Sequence, residues 1–368
     1  MLPGRVLMTT DAVGGVWRHA LDLARSLNET GIHCLLVGLG PSPADRSEAD
    51  ALAPSTQLVW TELDLDWMQD GHEAVADVGR HLAEIAYNAG IELLHLNLPS
   101  QAVGIPEGVP VVVMSHSCLP TWWAEVRGGA LPDQYRWHLE ANRIGMRRAD
   151  AVVAPSRSHA DAITQVYGPV DRLAVLHNAT SPQADGHGAR RRPVVLAAAR
   201  WWDAAKNVDV LDRAAATSPW TIELAGALSG PDGSRIATAH AATLGTLPAE
   251  MLRARMREAE IFASPSLYEP FGLVALEAAS RGCALLLADI PTYRELWQGA
   301  ARFVSPVRPE LWSDAIAELA ADPDQRLQLR EAARQRAAGF TPARQRDGLL
   351  AIYQATMERG TRLANRIQ

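Results

Sequence analysis

Lysine has almost vanished from this chain of 368 residues: 34 of its 35 basic side chains are arginine, and Lys206 is the exception. A compact ammonium has been kept there while the broader guanidinium serves everywhere else. Cysteine is scarce too. Cys34, Cys118 and Cys283 stand far apart, which argues against a disulfide framework or a zinc site and fits a reducing compartment. No apolar run approaches the roughly 18 residues that span a bilayer. Met1–Arg5 brings no long apolar stretch before the first strand, so a secretory leader is not expected and the cytoplasm is the expected location. An excess of positive charge is also missing. The formal net charge is −7. Residues 1–180 hold 12 Arg against 21 Asp or Glu, a balance of −9, and the remainder holds 23 basic against 21 acidic residues, a balance of +2. Neither half is basic enough for nucleic acid, and the acidic first half is a poor match for anionic lipid.

What the chain does have is alternation. Its 48% hydrophobic and 21% charged residues are those of a globular protein, and its length predicts two domains. Short apolar runs near 5–9, 33–38, 92–97, 110–115, 150–154 and 173–177 read as strands. Helical patterns fall near 16–29, 72–89, 133–148 and 157–167. Apolar runs without alternation suit a parallel sheet covered on both faces, and strands alternating with helices suit βαβ units. The polar, glycine-containing stretch Ser181–Gly188 breaks the pattern and marks a linker over 181–192. A second series follows, with strands near 194–199, 221–225, 260–264 and 284–288. Its helices fall near 207–216, 248–258, 272–281, 310–321 and 324–338, and a tail helix covers 342–364. The expected fold class is α/β, with two Rossmann-like doubly wound domains at 1–180 and 193–341.

Four motifs sit where strands end, the edge at which open α/β sheets bind ligands. The first is Ser266-Leu-Tyr-Glu269-Pro270-Phe271-Gly272-Leu273-Val-Ala-Leu-Glu277. Pro270 suits a helix start, which places Phe271, Gly272 and Leu273 in the first turn, where free amides and the helix dipole favour a diphosphate. Eight helical residues turn about 800° at ~100° each and rise roughly 12 Å, so Glu269 and Glu277 are expected on similar sides. That is too far apart for a glycosidase pair and suits two ends of an extended ligand; two solvated glutamates are the plainer alternative. The second is Ala199-Arg200-Trp-Trp-Asp-Ala-Ala-Lys206-Asn207, whose cations suit phosphate oxygens unless they are simply surface charges. The third is Asp11-Ala-Val-Gly14-Gly15-Val-Trp17-Arg18-His19. Its glycines let a ligand approach the backbone, or merely make a tight turn. It lacks the GxGxxG of a dinucleotide fingerprint. The fourth is His116, at the end of an apolar strand, where it serves structure or substrate. Trp122 and Trp123 nearby could stack on a sugar or cover a core.

Together these residues resemble the retaining glycosyltransferases of the GT-B fold, family 4. That family shows a Gly-Gly first loop, a histidine after a central strand of the first domain, an Arg…Lys-Asn pair opening the second, and E-P-F-G…E with seven residues between the glutamates. All four occur in order here, and Leu244-Gly245-Thr246-Leu247 and Ala263-Ser-Pro265-Ser266 match as well. Ala199-Arg200-Trp201 replaces the usual Gly-Arg-Leu. The resemblance implies two domains facing a cleft, the first for the acceptor and the second for the donor, with closure about the linker and the tail helix crossing back to the first. It implies that Arg200 and Lys206 hold a diphosphate, Glu277 the ribose and Glu269 the sugar hydroxyls. The Phe271, Gly272 and Leu273 amides would meet sugar and phosphate. Gly15 would approach the diphosphate, with Gly14 also binding substrate, Leu247 would lie near the base, and His116 beside the transferred sugar. A UDP- or GDP-sugar is the expected substrate and no resident cofactor or metal is expected. The acceptor would be a glycan, glycolipid or small molecule, in polysaccharide or glycoconjugate assembly. Asp64-Leu65-Asp66 spells the DxD with which another class of glycosyltransferases holds a cation, and is read here as a solvated turn. A nucleotide-sugar epimerase, a pyridoxal phosphate-dependent phosphorylase and a non-catalytic nucleotide-sugar-binding protein are the rival readings. The phosphorylase would need a Schiff-base lysine, a role that Lys206 would have to fill.

Overall fold

The computed structural model describes residues 1–43, 46–69, 71–181, 191–230 and 233–367, with 360–367 as backbone alone. The chain divides into two compact units, Met1–Asn178 with the tail from Pro342, and Ala179–Thr341. Residues 182–190, most of the expected linker at 181–192, lie outside the described residues.

Seven parallel strands form the sheet of the first unit: β1 (Arg5–Asp11), β2 (His33–Leu39), β3 (Thr56–Trp60), β4 (Leu93–Leu96), β5 (Val111–Met114), β6 (Ala151–Ala154) and β7 (Leu173–Val175). Their spatial order is β3-β2-β1-β4-β5-β6-β7. The chain winds outward from β1 on one side and returns on the other, so β1 and β4 flank a switch point, where a crevice opens beyond the strand ends. Val6, Leu7, Met8 and all of β5 have almost no exposed surface, because helices cover both faces. The tail helix Pro342–Ile367 belongs to this unit. Its Leu349 and Tyr353 lie in the same apolar cluster as Val6, Met8 and Leu21, and Tyr353 Oη stands 2.6 Å from His95 Nδ1 of β4.

The second unit repeats the scheme with β8 (Arg192–Ala198), β9 (Thr221–Ala225), β10 (Ala242–Gly245), β11 (Ala259–Ser264), β12 (Ala284–Ala288) and β13 (Arg302–Val304). The order is β10-β9-β8-β11-β12-β13, all parallel, with the switch point between β8 and β11. Two of these strands, β10 and β13, do not stand out in the sequence. Both are short edge strands; β10 is largely exposed, so neither has a long apolar run. The helices Leu119–Val126 and Pro291–Trp297 are likewise too short to show a clear period. The helix expected over 133–148 is a short 3₁₀ turn followed by a helix at Arg136–Arg148.

Three histidines of the first unit are buried and kept neutral by desolvation. Burial lowers His19 and His159 to about 4 and His95 to about 3, where a charged His19 would oppose His95 further. Unfolding returns each to its ordinary value near 6.5, so below that pH the unfolded chain binds the extra protons. Stability is therefore expected to be full above about pH 6.5 and to fall on acidification towards pH 4, by up to about 1.4 kcal/mol per pH unit for each histidine. Urea denaturation followed by circular dichroism across that range reads this directly. A midpoint that stays flat from pH 7 to 4.5 would contradict it.

Candidate active site

The segment after β8 and the segment after β11 are stitched together because their strands are neighbours. Leu267 donates its amide to the Ala205 carbonyl at 2.8 Å. Asn207, in the left-handed conformation at φ 53°, donates through Nδ2 to the carbonyls of Pro265 and Pro306. Asp203 caps the intervening turn by accepting from the Ala205 amide. Lys206 and Glu269, far apart in sequence, thereby meet as an ion pair at 2.7 Å, with side chains only 15% and 18% exposed. Arg200 lies on the same β8 segment. Its guanidinium stacks over Trp202 and stands 3.3 Å from Asp203. Trp201, the departure from the family's leucine, points the other way, buried and donating Nε1–H to the Ala225 carbonyl.

The helix after β11 begins later than the sequence predicts. It spans Leu273–Ser280, and Gly272 is its cap at φ 87°. Pro270, Phe271 and Gly272 therefore precede the helix. The free first-turn amides are those of Leu273 and the residues after it. The physical reason is Gly272: its left-handed backbone cannot continue into a helix, and a Cβ there would come within 2.9 Å of Tyr293 Cε1. The helical spacing argument for Glu269 and Glu277 accordingly fails, since half of the interval is loop. Phe271 is buried edge-to-face on Phe340. Glu277 is half-buried, 3.8 Å from the guanidinium of Arg281, which also donates to the Glu277 carbonyl. Tyr293, unremarked in the sequence, lies under the loop. Its hydroxyl sits 2.6 Å from Ser264 Oγ, and burial together with the charge of Glu269 raises its ionisation far above the ordinary range. Leu247 follows edge strand β10 and packs on the core of this unit.

The first unit gathers its own group at its own switch point. Gly14 and Gly15 join β1 to the helix Val16–Asn28. Gly15 caps that helix at φ −71°, a conformation open to any residue, so the missing side chain is what the position offers a ligand. His19 of this helix packs edge-on against His116 at 4.5 Å. His116 Nε2 lies 3.0 Å from Asn97 Oδ1 at the end of β4. Asn97 went unnoticed in the sequence; its signal is a polar residue closing an apolar run. Trp122 and Trp123 are half-buried on the helix Leu119–Val126. The DxD reading needs a correction. Asp64 is exposed, but Asp66 is buried, accepting from Ser100 Oγ and lying 3.8 Å from His138 Nδ1. Asp66 is thus part of the packing of this unit and not of a solvated turn.

Comparison with known proteins accords with this geometry. Residues 13–184 match the model of Glycosyltransferase Family 4, and residues 191–336 match that of Glycosyl transferases group 1. The chain is 30% identical over 287 residues to D-inositol 3-phosphate glycosyltransferase of Nocardia farcinica, covering 68% of this chain and 62% of that protein. It is 24% identical to alpha-maltose-1-phosphate synthase of Mycolicibacterium smegmatis, over 78% and 80% of the two chains. Sucrose-phosphate synthase from Thermosynechococcus elongatus superposes with a TM-score of 0.74 at 18% identity, over 99% of this chain and 98% of that one. Anabaena HepE in complex with UDP and glucose superposes with the same TM-score, 0.74, at 16% identity, over 95% and 99%. Two parallel-sheet units, two adjoining family matches and these likenesses place the chain in the group 1 glycosyltransferases of the GT-B fold.

Proposed function

We propose that the protein transfers a sugar from a UDP- or GDP-sugar to an acceptor hydroxyl with retention of anomeric configuration, and that it does so without a metal ion. The observation that carries this reading is the Lys206–Glu269 pair, an ammonium and a carboxylate held 2.7 Å apart where β8 and β11 end. Glycosyl transfer from a nucleotide donor needs two things side by side: positive charge for the departing diphosphate and an acceptor for the sugar's hydroxyls. Lys206, Arg200 and the amides at Leu273 supply the first, and Glu269 the second. Glu277, steadied by Arg281, takes the ribose hydroxyls, and Leu247 borders the base. In the first unit, Gly14, Gly15 and His116 are the candidate substrate-binding groups. The acceptor attacks from the face that the diphosphate leaves, so no carboxylate need bond to carbon. The accepting hydroxyl belongs to a glycan, a glycolipid or a small polyol such as the inositol phosphate named for the Nocardia protein, and the setting is polysaccharide or glycoconjugate assembly in the cytoplasm.

Calorimetry with UDP and GDP, after a thermal-shift screen to choose the nucleotide, tests the assignment. A charge-assisted hydrogen bond contributes about 1.5–3 kcal/mol, so Lys206→Met should lose at least about tenfold in diphosphate affinity and in turnover. Glu269→Gln should move the two readouts apart, slowing turnover while releasing Lys206 to bind free diphosphate more tightly. Glu277→Ala should weaken nucleotide binding. Equal nucleotide affinity across wild type and all three variants would overturn the donor site.

Metal independence is checked separately. Arg200, Lys206 and the helix amides fill the electrostatic role that a divalent cation plays elsewhere, and their charge repels one. Turnover is expected to persist in EDTA, and Asp64→Ala to stay within about a few-fold of wild type. Asp66 is unsuitable for this test because its loss would strand Ser100 in the interior. Abolition of activity by chelator with recovery on adding manganese or magnesium would sink the proposal.

A further inference from the structure

A chain of hydrogen bonds runs along the carboxyl edge of the neighbouring strands β1, β4 and β5 and ends on His116. Thr9 of β1 donates its hydroxyl to Gln101 Oε1 at 2.7 Å and accepts the Asn97 amide at 2.8 Å. Asn97 Nδ2 donates to the Thr9 carbonyl at 2.6 Å. That bond fixes which way the carboxamide faces. With its nitrogen on Thr9, its oxygen is the atom 3.0 Å from His116 Nε2. A carboxamide oxygen can only accept, so Nε2 carries a proton. Asn97 is 5% exposed, and turning its amide over would set its carbonyl against that of Thr9.

We propose that Asn97 is a positioning residue that locks His116 in the Nε2–H tautomer, so that Nδ1 is left as an acceptor for a hydroxyl of a ligand bound at this edge. The inference rests on the glycosyl-transfer reading for the identity of that hydroxyl, but the tautomer itself does not. Nδ1 makes no hydrogen bond among the described residues, and the residue is half-buried. The titratable groups facing it are His19 of the helix Val16–Asn28, His95 of β4 and His159 of the helix Arg157–Tyr167. Burial first, then these three, keep His116 well below its ordinary range. The ring is therefore neutral, and its lone pair repels a phosphoryl oxygen as firmly as it accepts a hydroxyl proton. The His116 ring thus favours an uncharged hydroxyl over a phosphoryl oxygen.

Long-range proton–nitrogen NMR on the ¹⁵N-histidine-labelled full chain reads the tautomer without any ligand. The expected spectrum shows His116 protonated at Nε2 and bare at Nδ1 at neutral pH. Asn97→Asp places a carboxylate against Nε2, which favours the imidazolium and raises its pKa. Both nitrogens should then carry protons near neutrality. In turnover assays with UDP-glucose and GDP-mannose as probe donors, the acid limb of kcat should move up by about one pH unit or more. Affinity for UDP or GDP should change less than about twofold. Asn97→Ala removes the acceptor from Nε2 altogether, and should give a mixture of tautomers and a kcat lowered several-fold; it carries the test should Asn97→Asp misfold. A wild-type His116 that is protonated at Nδ1 or charged at pH 7, or an Asn97→Asp enzyme with the wild-type pH profile, would overturn the proposal. Failure of the wild type to bind either nucleotide would count against glycosyl transfer and leave the NMR result standing.

Discussion

A parallel sheet covered on both faces admits a charged or polar side chain within its strands only against a partner, as Glu223 of β9 meets Arg192 and His95 of β4 meets Tyr353, and otherwise keeps such groups beyond the strand ends. Every functional feature of this molecule follows from that constraint. The strand interiors are so uniformly apolar that β5 and β12 have no exposed surface to speak of, and each sheet reverses its winding once, between β1 and β4 and between β8 and β11. At a reversal the two flanking connections depart in opposite directions, leaving backbone and side chains free to converge on a ligand. Lys206 and Glu269 are neighbours because β8 and β11 are, and Asn97 and His116 because β4 and β5 are.

The Lys206–Glu269 pair has the energetics of a poised contact. Both side chains retain some exposure, so the desolvation that each has suffered is partial and their mutual attraction is moderated by nearby water. Such a pair contributes little net stability, and in the proposed reaction it is exchanged readily for a ligand that offers each partner a counterpart of its own. Asn207 and Tyr293 hold the frame around it. Asn207 ties the β8 segment to two carbonyls of the later chain, and Tyr293 closes against Ser264 and Gly272 from beneath. The exchange can thus occur without the loops giving way.

How much of this could be read beforehand depended on how local the cause was. The central strands announce themselves because full burial demands an unbroken apolar run, and Lys206 because a chain otherwise built with arginine kept one lysine. Partnership across strands is different. Nothing near Asn97 in sequence says that Thr9 and His116 lie on either side of it, since those neighbours are fixed by sheet order. Tyr293 is hidden in the same way, its meaning set by Gly272 on another segment. Edge strands β10 and β13 escaped because an edge needs little hydrophobicity. The misplaced start of the helix after β11 has a local cause that was visible but outweighed: Pro270 favours a helix start, yet Gly272 interrupts it with a left-handed backbone, and the glycine decides where the helix can begin. Asp66 shows the converse error, an acidic residue in a polar stretch that the fold draws inward to Ser100.

The two switch points differ in kind, and the difference matches the chemistry proposed for them. At the first, the groups are mainly Thr9, Asn97 and neutral histidines, a set of oriented dipoles. At the second they are Arg200, Lys206, Glu269, Glu277 and Arg281, charges placed in opposed pairs. A departing diphosphate develops full negative charge, and only ions and helix amides respond to it with enough strength. A sugar being transferred keeps its hydroxyls uncharged throughout, and fixed dipoles recognise these without the desolvation that a charge would demand. The first half of the chain carries a balance of −9. The carboxylate that does stand at the edge, Asp11 at the end of β1, accepts from the Val13 amide of its own loop.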